Sequence, residues 1–596
     1  MGLVESDNLQ HFYINEEQSV YLLSHRDAQK LKDWLALCKT QLLRLGYTDI
    51  ELIGKGAYGF VFAGQADNGR EYVFKFSRIT LPQRVQERLE EEGYMLSQVQ
   101  HDNAPSYIDY QRVRGQSILM MSRAKGIDLD ELGRLRGRLE PRLLLKIAAQ
   151  MVEILTALRT QAERQLRAPL VHGDIKPSNI VFDPETETIS LIDWGAAVFA
   201  QLDHRGQHTN SGGLSALSVD LQQSNAKLGD IYFIGEDQLQ GKLSSPRFDE
   251  QGLAGTLYAL ASGQGSRFGR QVIRPDSLGL PTEFARTLEN LLSDDAELRC
   301  KAGDYLFNNM RYMKRIVQDK KPNTQLEAHL TPLIPIWVLD GDKSLETVVY
   351  SSRKSFLRQE MSAKAFASLD ATELDKYYKN YLSGMGDTEK AFITAVSHLG
   401  RYPVVGGLAI RWQDDGVFID SSLNLADETL RPAFVSAVNN MVYLAKAIQK
   451  KGVFKSCIFD ARKTLHIERD DPADAFVASP GMKIPFELSD TQELEDESRL
   501  HSYFEDGDDP DEMLELPGEI MELLSTMNQI HHTGCIIFES VDQELKIHNY
   551  LKLLDATKVD EFAGCLSGIM ERLHLVQGVG VSGFMKLPYK DTKSFE

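Results

Sequence analysis

The sequence contains little cysteine and no long apolar run. Its 596 residues include five cysteines, which lie far apart and form no Cys-x-x-Cys pair. That spacing excludes a disulfide framework or a structural zinc site, and it suits a reducing compartment. No stretch approaches the ~18 consecutive apolar residues that a membrane-spanning helix requires. The first residues include acids and no apolar segment, unlike a secretory signal, so we expect a cytoplasmic protein with no membrane partner.

Basic residues are also scarce relative to acidic ones. The chain has 66 Lys+Arg against 86 Asp+Glu, which gives a net charge of −20 and a pI of about 5.3. A surface of this sign repels a phosphate backbone, so nucleic acid is not expected as a partner. The apolar fraction of 42% is typical of folded globular proteins. At roughly 150 residues per domain, the length predicts two to four domains.

The spacing of apolar residues divides the chain into successive segments. Residues 1–47 form an N-terminal extension with near-helical spacing of leucines. Residues 48–124 alternate apolar residues with glycines, which predicts two or three short antiparallel strands followed by a helix. Helical patterns dominate residues 125–318. Residues 319–332, which include Lys-Lys-Pro-Asn-Thr, are predicted to be a linker.

A second globular unit with a mixed α/β pattern is predicted over residues 333–596. A hairpin over 404–420 precedes a helix over 426–451, and a hairpin over 535–550 precedes a helix over 560–573. The repeated order indicates an internal duplication, although no residue-level identity between the two copies is apparent.

A glycine-rich turn opens the part of the chain that carries chemistry. Gly54, Gly56 and Gly59 lie between two predicted strands, with Val61 just after them. Glycines let the backbone approach phosphate oxygens and offer N–H groups to them. Because no long helix begins at Gly59, the pattern favours a hairpin over the phosphates rather than a dinucleotide-binding βαβ turn.

A single lysine, Lys75, stands in the apolar strand that follows. Such a lysine either extends to the sheet edge or is held in a cleft for a charged ligand. The next helix offers several acids that could pair with it. We favour Glu92, because core-like apolar positions follow it, with Glu91 as the alternative.

Two further polar clusters are bracketed by apolar strands. Asp174, Lys176 and Asn179 lie in one loop, and Asp193 begins the triplet Asp-Trp-Gly after the next strand. An aspartate can accept a hydroxyl proton, and amide and carboxylate oxygens suit magnesium. Phosphoryl transfer requires these parts, since aligning a hydroxyl and neutralising triphosphate charge supply most of the catalysis.

In this order, the four clusters resemble those of a eukaryotic-type (Hanks-type) serine/threonine protein kinase, of a bacterial-like variety. The resemblance covers residues 48–317 and implies an α+β, two-lobed kinase fold. The small β-rich lobe would span 48–124 and the large helical lobe 125–318, followed by a separate mixed α/β C-terminal domain. It also implies a buried central helix over 249–263 and an ion pair between Glu236 and Arg299.

The resemblance implies a site for ATP and Mg²⁺ in which each residue has a role. The implied residues are Gly54, Gly56, Gly59 and Val61 over the phosphates, Lys75 with its partner Glu92, Met121 and Ala124 beside the adenine, Asp174 and Lys176 at the transferred phosphate, and Asn179 and Asp193 on the metal. The activity implied is transfer of the γ-phosphate to Ser or Thr hydroxyls of proteins, including the chain itself. Autophosphorylation candidates in the segment after Asp193 are Thr209, Ser211, Ser215, Ser218 and Ser224.

Two departures leave alternatives open. Gly173 stands where many regulated kinases carry arginine, so activation need not require a phosphorylated segment.

His172-Gly173-Asp174 is shared with small-molecule phosphotransferases of the same superfamily, but those usually lack the equivalent of Lys176. A pseudokinase scaffold is the third reading. The protein substrate is not identified, and we hypothesise that the C-terminal domain recruits a substrate or a regulator.

Overall fold

The structure, a computed structural model, describes only part of the chain in detail. The described residues are 8–9, 25–55, 59–77, 83–113, 116–165, 168–209, 229–316, 336–338, 347–351, 385–414, 416–489, 500–502, 514–541 and 543–591. Several sequence predictions lie outside them, namely Gly56, Ser211, Ser215, Ser218, Ser224 and the linker 319–332.

The chain divides into two compact units, which we treat separately. The first contains residues 31–330 and 370–394, and the second contains residues 1–30, 331–369 and 395–596. Among the described residues, none of the helices combines the length and apolarity that crossing a membrane requires.

The first unit begins with a five-stranded antiparallel sheet. Its strands are β1 (Thr48–Lys55), β2 (Gly59–Gln65), β3 (Glu71–Ser77), β4 (Tyr107–Val113) and β5 (Gln116–Ser122), in the spatial order β1-β2-β3-β5-β4. The alternation of the sequence places Phe60, Phe62, Phe74 and Phe76 in one buried cluster. The predicted run of short antiparallel strands is therefore present.

A helix from the N-terminal extension packs against that aromatic cluster. Helix α1 (His25–Arg44) contributes Cys38 and Leu42 to the cluster, and the Trp34 ring lies edge-on to Phe60 with centroids 4.8 Å apart. Helix α2 (Gln83–Ser97) places Met95 and Leu96 in a different cluster, which continues into the helical part of the unit.

The rest of the first unit is mainly helical. Its elements are β6 (Ile127–Asp128), α3 (Leu129–Arg136), α4 (Pro141–Gln165), β7 (Leu170–Val171), β8 (Ile180–Asp183), β9 (Thr188–Leu191), β10 (Val198–Phe199), α5 (Glu236–Leu239), α6 (Arg247–Ser262), α7 (Thr282–Leu291) and α8 (Ala296–Ile316). Helix α6 is buried along nearly its whole length and ends at Gly263, whose φ of 71° is left-handed. This is the buried central helix that the resemblance implied, beginning two residues earlier than expected.

The second unit is a mixed α/β structure around one large sheet. Its described elements include β11 (Ile336–Val338), β12 (Thr347–Ser351), β13 (Val404–Gln413), β14 (Gly416–Ser421), β15 (Leu423–Leu425), α10 (Arg431–Ala447), β16 (Lys451–Asp460), β17 (Leu465–Glu468), β18 (Glu487–Leu488), β19 (Leu500–Ser502), α11 (Gly518–Asn528), β20 (His532–Val541), β21 (Glu544–Leu553), α12 (Val559–Glu571) and β22 (Gly580–Asp591), and helix α9 (Asp387–Leu399) spans the boundary between the two sets of residues. The main strand order is β16-β13-β14-β22-β20-β21-β17.

The strand registers of the second unit repeat after a shift of 128 positions. Leu408 pairs with Ser421 in the first hairpin, and Ile536 pairs with Asn549 in the second. The strand after each helix returns to the same place, since Gly406 pairs with Ile458 and Gly534 with Lys586. Residues 404–459 and 532–587 are therefore two copies of one β-β-α-β arrangement. The predicted duplication is present.

Identical residues occupy equivalent positions in the two copies, contrary to the expectation from sequence. The pairs are Gly406/Gly534, Ile419/Ile547, Leu423/Leu551, Leu425/Leu553, Asp427/Asp555, Thr429/Thr557, Phe434/Phe562, Gly452/Gly580 and Val453/Val581. A Cβ on Gly406 or Gly534 would lie 1.9 Å from a carbonyl oxygen of the neighbouring strand, so both strands require glycine there. Asp427 and Asp555 each accept the N–H two residues on, which ends the strand and begins a turn before the helix. That turn is why α10 begins at Arg431 and not at 426.

Candidate active site

Lys75 on β3 contacts two carboxylates from distant parts of the chain. Its Nζ lies 2.5 Å from Glu92 Oε1 on α2 and 2.7 Å from Asp193 Oδ1 in the loop after β9. The backbone N–H of Trp194 also donates to Glu92. The sequence left Glu91 as an alternative partner, and the structure selects Glu92, which is buried whereas Glu91 is half-buried.

Electrostatics favour the charged forms of Lys75 and Asp193. Burial alone would lower the pKa of Lys75, but Asp193 and Glu92 outweigh it and hold that pKa above its usual value. Burial alone would raise the pKa of Asp193, but the Lys75 ammonium outweighs it and holds that pKa well below the usual range. Burial raises the pKa of Glu92, which Lys75 only partly offsets. The group therefore presents a fixed cation and a fixed anion to a ligand.

Asp174 lies at the centre of a second hydrogen-bonded group in the loop between β7 and β8. Its Oδ1 accepts the backbone N–H of Asp230 at 2.7 Å. Its Oδ2 accepts from Asn179 Nδ2 at 3.0 Å and lies 3.2 Å from Lys176 Nζ. Asn179 also donates to the Asp174 carbonyl, which fixes both ends of the loop. The predicted trio of Asp174, Lys176 and Asn179 is thus brought together.

The buried helix α6 holds the loop between β7 and β8 in place through a carboxylate. The carboxylate of Asp249 accepts the backbone N–H groups of His172 and Gly173, each at 2.9 Å. Gly173 has a φ of 78°, and a Cβ on it would lie 2.7 Å from the Ala196 carbonyl oxygen. A side chain at this position would therefore be strained, which gives a structural reason for glycine at this position.

The triplet that starts at Asp193 is anchored by packing on both sides. Asp193 has a φ of 63°, a strained conformation for a residue with a side chain. Trp194 is fully buried, with its ring edge-on to His172 at 4.8 Å and its indole N–H donating to the Leu191 carbonyl. Trp194 therefore packs in the core and anchors the residue next to Asp193.

The predicted nucleotide-cleft residues lie on β1, β2 and β5. In the strand registers Val61 pairs with both Gly54 and Lys75, so these three lie side by side across the sheet. A Cβ on Gly59 would lie 1.9 Å from the Phe76 carbonyl oxygen, so Gly59 allows two strands to approach. Met121 is buried on β5, and Ala124 lies three residues further along the chain, outside any helix or strand.

The predicted ion pair of Arg299 has a different partner from the one expected. Arg299 Nη2 lies 2.8 Å from Asp237 Oδ2, and Glu236 is exposed and bonds to Gln240. The expectation was displaced by one residue, because Glu236 matched the family's residue type whereas Asp237 occupies its place. Asp237 is also held by Lys242, at 2.6 Å.

Asp230, which the sequence motifs do not identify, contacts two members of the site. Its backbone N–H bonds to Asp174, and its Oδ2 lies 3.5 Å from Lys176 Nζ. No short motif marks Asp230, because its place in the site depends on a contact with a loop 56 positions away in the chain.

The donor set fits a hydrated divalent cation beside a triphosphate. Asp193 keeps 44% of its side chain exposed, and within the described residues its hydrogen bond to Lys75 uses only Oδ1. Asn179 uses its Nδ2 for Asp174, which leaves its amide oxygen as the ligand atom. Carboxylate and amide oxygens are the donors that Mg²⁺ prefers.

Comparison with known proteins agrees with this geometry. A family model described as the protein kinase domain matches residues 47–262. Serine/threonine-protein kinase PrkC of Bacillus subtilis is 25% identical over 221 residues, which cover 37% of this chain and 30% of PrkC. Serine/threonine-protein kinase A of Synechocystis is 26% identical over 238 residues, which cover 38% and 42%. Mitogen-activated protein kinase kinase kinase 1a of Physcomitrium patens is 26% identical over 222 residues, which cover 36% and 28%.

These matches span less than half the length of each relative, and the family match does not extend into the C-terminal unit. Over the matched residues, the two lobes, the Lys75–Glu92 pair and the Asp174 loop all agree with one family. The chain therefore carries a protein kinase domain of the Hanks type.

Proposed function

We propose that this chain transfers the γ-phosphate of ATP, with Mg²⁺, to Ser or Thr hydroxyls of protein substrates, including itself. The observation that carries the proposal is that every charged group phosphoryl transfer needs is present and already paired for the task. Lys75 is oriented by Glu92, and Asp174 is oriented by Asn179 and by the chain at Asp230.

Each residue has a task that follows from its contacts. Lys75, held cationic, binds phosphate oxygens of ATP, and Gly54, Gly59 and Val61 cover the nucleotide from the hairpin. Asp174, held in place but reachable, accepts the proton of the substrate hydroxyl as that oxygen attacks phosphorus. Lys176 neutralises charge on the transferred phosphate.

The adenine and the metal have their own residues. Ala124 and the chain beside Met121 would contact the adenine edge through the backbone. Asn179 and Asp193 would hold Mg²⁺, which when bound neutralises the charge of the triphosphate. The presence of Lys176 favours a protein as the acceptor, because small-molecule phosphotransferases of the same superfamily usually lack this lysine. The Ser/Thr preference agrees with the names of the bacterial relatives, both called serine/threonine-protein kinases.

The test is transfer of labelled phosphate from ATP with magnesium by the full chain. Wild type, Asp174→Asn and the control Asp67→Asn, which changes an exposed carboxylate, would be compared on the chain itself and on a generic protein substrate. We expect label on Ser or Thr for wild type and the control, and at least a ~100-fold loss for Asp174→Asn.

Other results would replace the proposal. ATP binding without any transfer to protein would favour a small-molecule kinase or a scaffold. Absence of ATP binding would favour a pseudokinase. Equal labelling in wild type and Asp174→Asn would remove Asp174 from the site.

A further inference from the structure

Asp230 adds a second carboxylate beside Asp174. Its Oδ2 lies 3.5 Å from Lys176 Nζ, which itself lies 3.2 Å from Asp174 Oδ2. Two carboxylates therefore share one ammonium at the end of the site where a hydroxyl would enter. Lys75 does not compensate for this excess, because its Nζ is bonded to Glu92 and Asp193.

The position of the Asp230 carboxylate is set by the fold. Its Oδ1 accepts the Tyr232 N–H at 2.9 Å, and its carbonyl accepts the N–H groups of Phe233 and Ile234, both at 2.9 Å. The preceding residue is glycine because a Cβ on Gly229 would lie 2.3 Å from the Gly173 carbonyl oxygen. This close approach brings the segment onto the Asp174 loop and fixes the carboxylate there.

The carboxylate can act on a substrate, since the Asp230 side chain is 27% exposed. A single unit charge about 7 Å away, at an effective dielectric constant of about 40, changes affinity by roughly a factor of ten. Electrostatic complementarity of this kind selects among partners more than it adds affinity. An acidic side chain beside the acceptor would meet repulsion, and a basic one attraction.

Resting on the proposed transfer to protein hydroxyls, we propose that Asp230 is a specificity-determining residue of this kinase. Its carboxylate favours acceptor hydroxyls flanked by a basic side chain and disfavours those flanked by an acidic one.

The experiment uses the full chain and serine peptides that differ only in carrying Arg or Glu at one of the four positions nearest the serine. Because attraction to Arg and repulsion of Glu add in this comparison, we expect wild type to prefer Arg over Glu at one or more of these positions by roughly 50-fold in kcat/KM. In Asp230→Asn, the preference should fall to about one, mainly through KM for the peptide. KM for ATP should stay within about twofold, because the asparagine oxygen can still accept from Tyr232 and the backbone bond to Asp174 is unchanged.

Asp67→Asn is the matched control, since it removes one exposed carboxylate elsewhere and should leave the preference intact. Asp230→Thr, which also keeps a group able to accept from Tyr232, guards against a folding defect in Asp230→Asn. An unchanged Arg preference in either Asp230 variant, or no Arg preference in wild type, would overturn the inference alone. A wild-type chain that transfers no phosphate at all would overturn the proposed function and this inference with it.

Discussion

Lys75 and Asp193 are separated by 118 positions in the sequence, yet their side chains form an ion pair with Nζ and Oδ1 2.7 Å apart. Glu92 completes the pair from helix α2. One lysine therefore joins the small sheet, the helix beside it and the loop after β9. Because Glu92 and Asp193 both contact Lys75 Nζ, the ammonium group is held in one position, where it can bind a phosphate group.

The first prediction separates two adjacent acids, of which the sequence favoured Glu92 and left Glu91 as the alternative. Glu92→Gln should lower kcat/KM about tenfold or more, because Lys75 loses one of its two charged partners. Glu91→Gln should leave the activity within about twofold, since Glu91 is not the residue that contacts Lys75. Steady-state kinetics with ATP as the varied substrate would measure both. Equal losses for the two variants would contradict the pairing.

The second prediction concerns the pair between Arg299 and Asp237. Arg299 is 10% exposed, so removing its partner leaves a nearly buried cation uncompensated. Asp237→Asn should lower the free energy of unfolding by about 2 kcal/mol. Glu236→Gln should change it by less than about 0.5 kcal/mol, because Glu236 is exposed. Denaturant unfolding would compare the two variants, and a larger effect at Glu236 would restore the pairing expected from sequence.

The third prediction tests whether helix α1 stabilises the small lobe. Trp34 packs on Phe60, and Leu37 on the same helix is 61% exposed. Trp34→Ala should lower the free energy of unfolding by about 2–3 kcal/mol through lost packing. Leu37→Ala should have an effect below about 0.5 kcal/mol. Thermal unfolding of the full chain would show whether these two substitutions differ as the packing requires.

The fourth prediction is a pH dependence that arises in the second unit. Burial, with a contribution from the Lys586 ammonium, lowers the pKa of His532 from 6.5 to about 3. Below pH 6.5 the unfolded chain binds a proton at this residue and the folded chain does not, so stability falls as pH falls. Between pH 7 and pH 5 the loss should be about 2 kcal/mol.

His532→Val isolates that contribution, because the first copy of the duplicated arrangement has Val404 at the equivalent position. At pH 7 the variant should be about 1 kcal/mol less stable than wild type, because it lacks the hydrogen bond to the Ile530 carbonyl. Its stability should fall less than that of wild type between pH 7 and pH 5. Parallel pH profiles for the two proteins would show that His532 does not titrate as described.

The fifth prediction follows from the duplication. Asp427 and Asp555 cap equivalent turns, and each also accepts from the threonine hydroxyl two residues on. Asp427→Ala and Asp555→Ala should each cost about 1 kcal/mol, and the double variant about the sum. Urea unfolding of the single and double variants would test this. A negligible cost for one of them would mean that the two turns are not energetically equivalent.

The sequence was informative where function depends on short motifs. The glycine turn, Lys75, the Asp174 loop and Asp193 each place chemically distinctive side chains at fixed local spacing, so their order was enough to predict the two-lobed fold. Glu92 was preferred over Glu91 for a physical reason, the core-like spacing after it. In the structure Glu92 is buried and Glu91 is half-buried, as that spacing predicts.

Features that depend on contacts between distant segments were harder to predict. Asp237 and Glu236 are adjacent acids, and only the fold determines which of them faces Arg299. Helix α1 stabilises the sheet by packing on its cluster of phenylalanines. The alternation of apolar residues in the strands predicts that this face is buried, but not which segment covers it. The two copies of the duplicated arrangement share few identical residues, because strands tolerate many exchanges among apolar residues. The duplication became clear only from the strand registers, which repeat after 128 positions.

The central claim is that the Asp174 site transfers phosphate to protein hydroxyls, and residue-level mass spectrometry of the full chain after incubation with ATP and magnesium tests it most directly. We predict phosphate on Ser or Thr residues of the wild type and at least about 100-fold less on Asp174→Asn under the same conditions. Phosphate at the same sites and to the same extent in both proteins would contradict it.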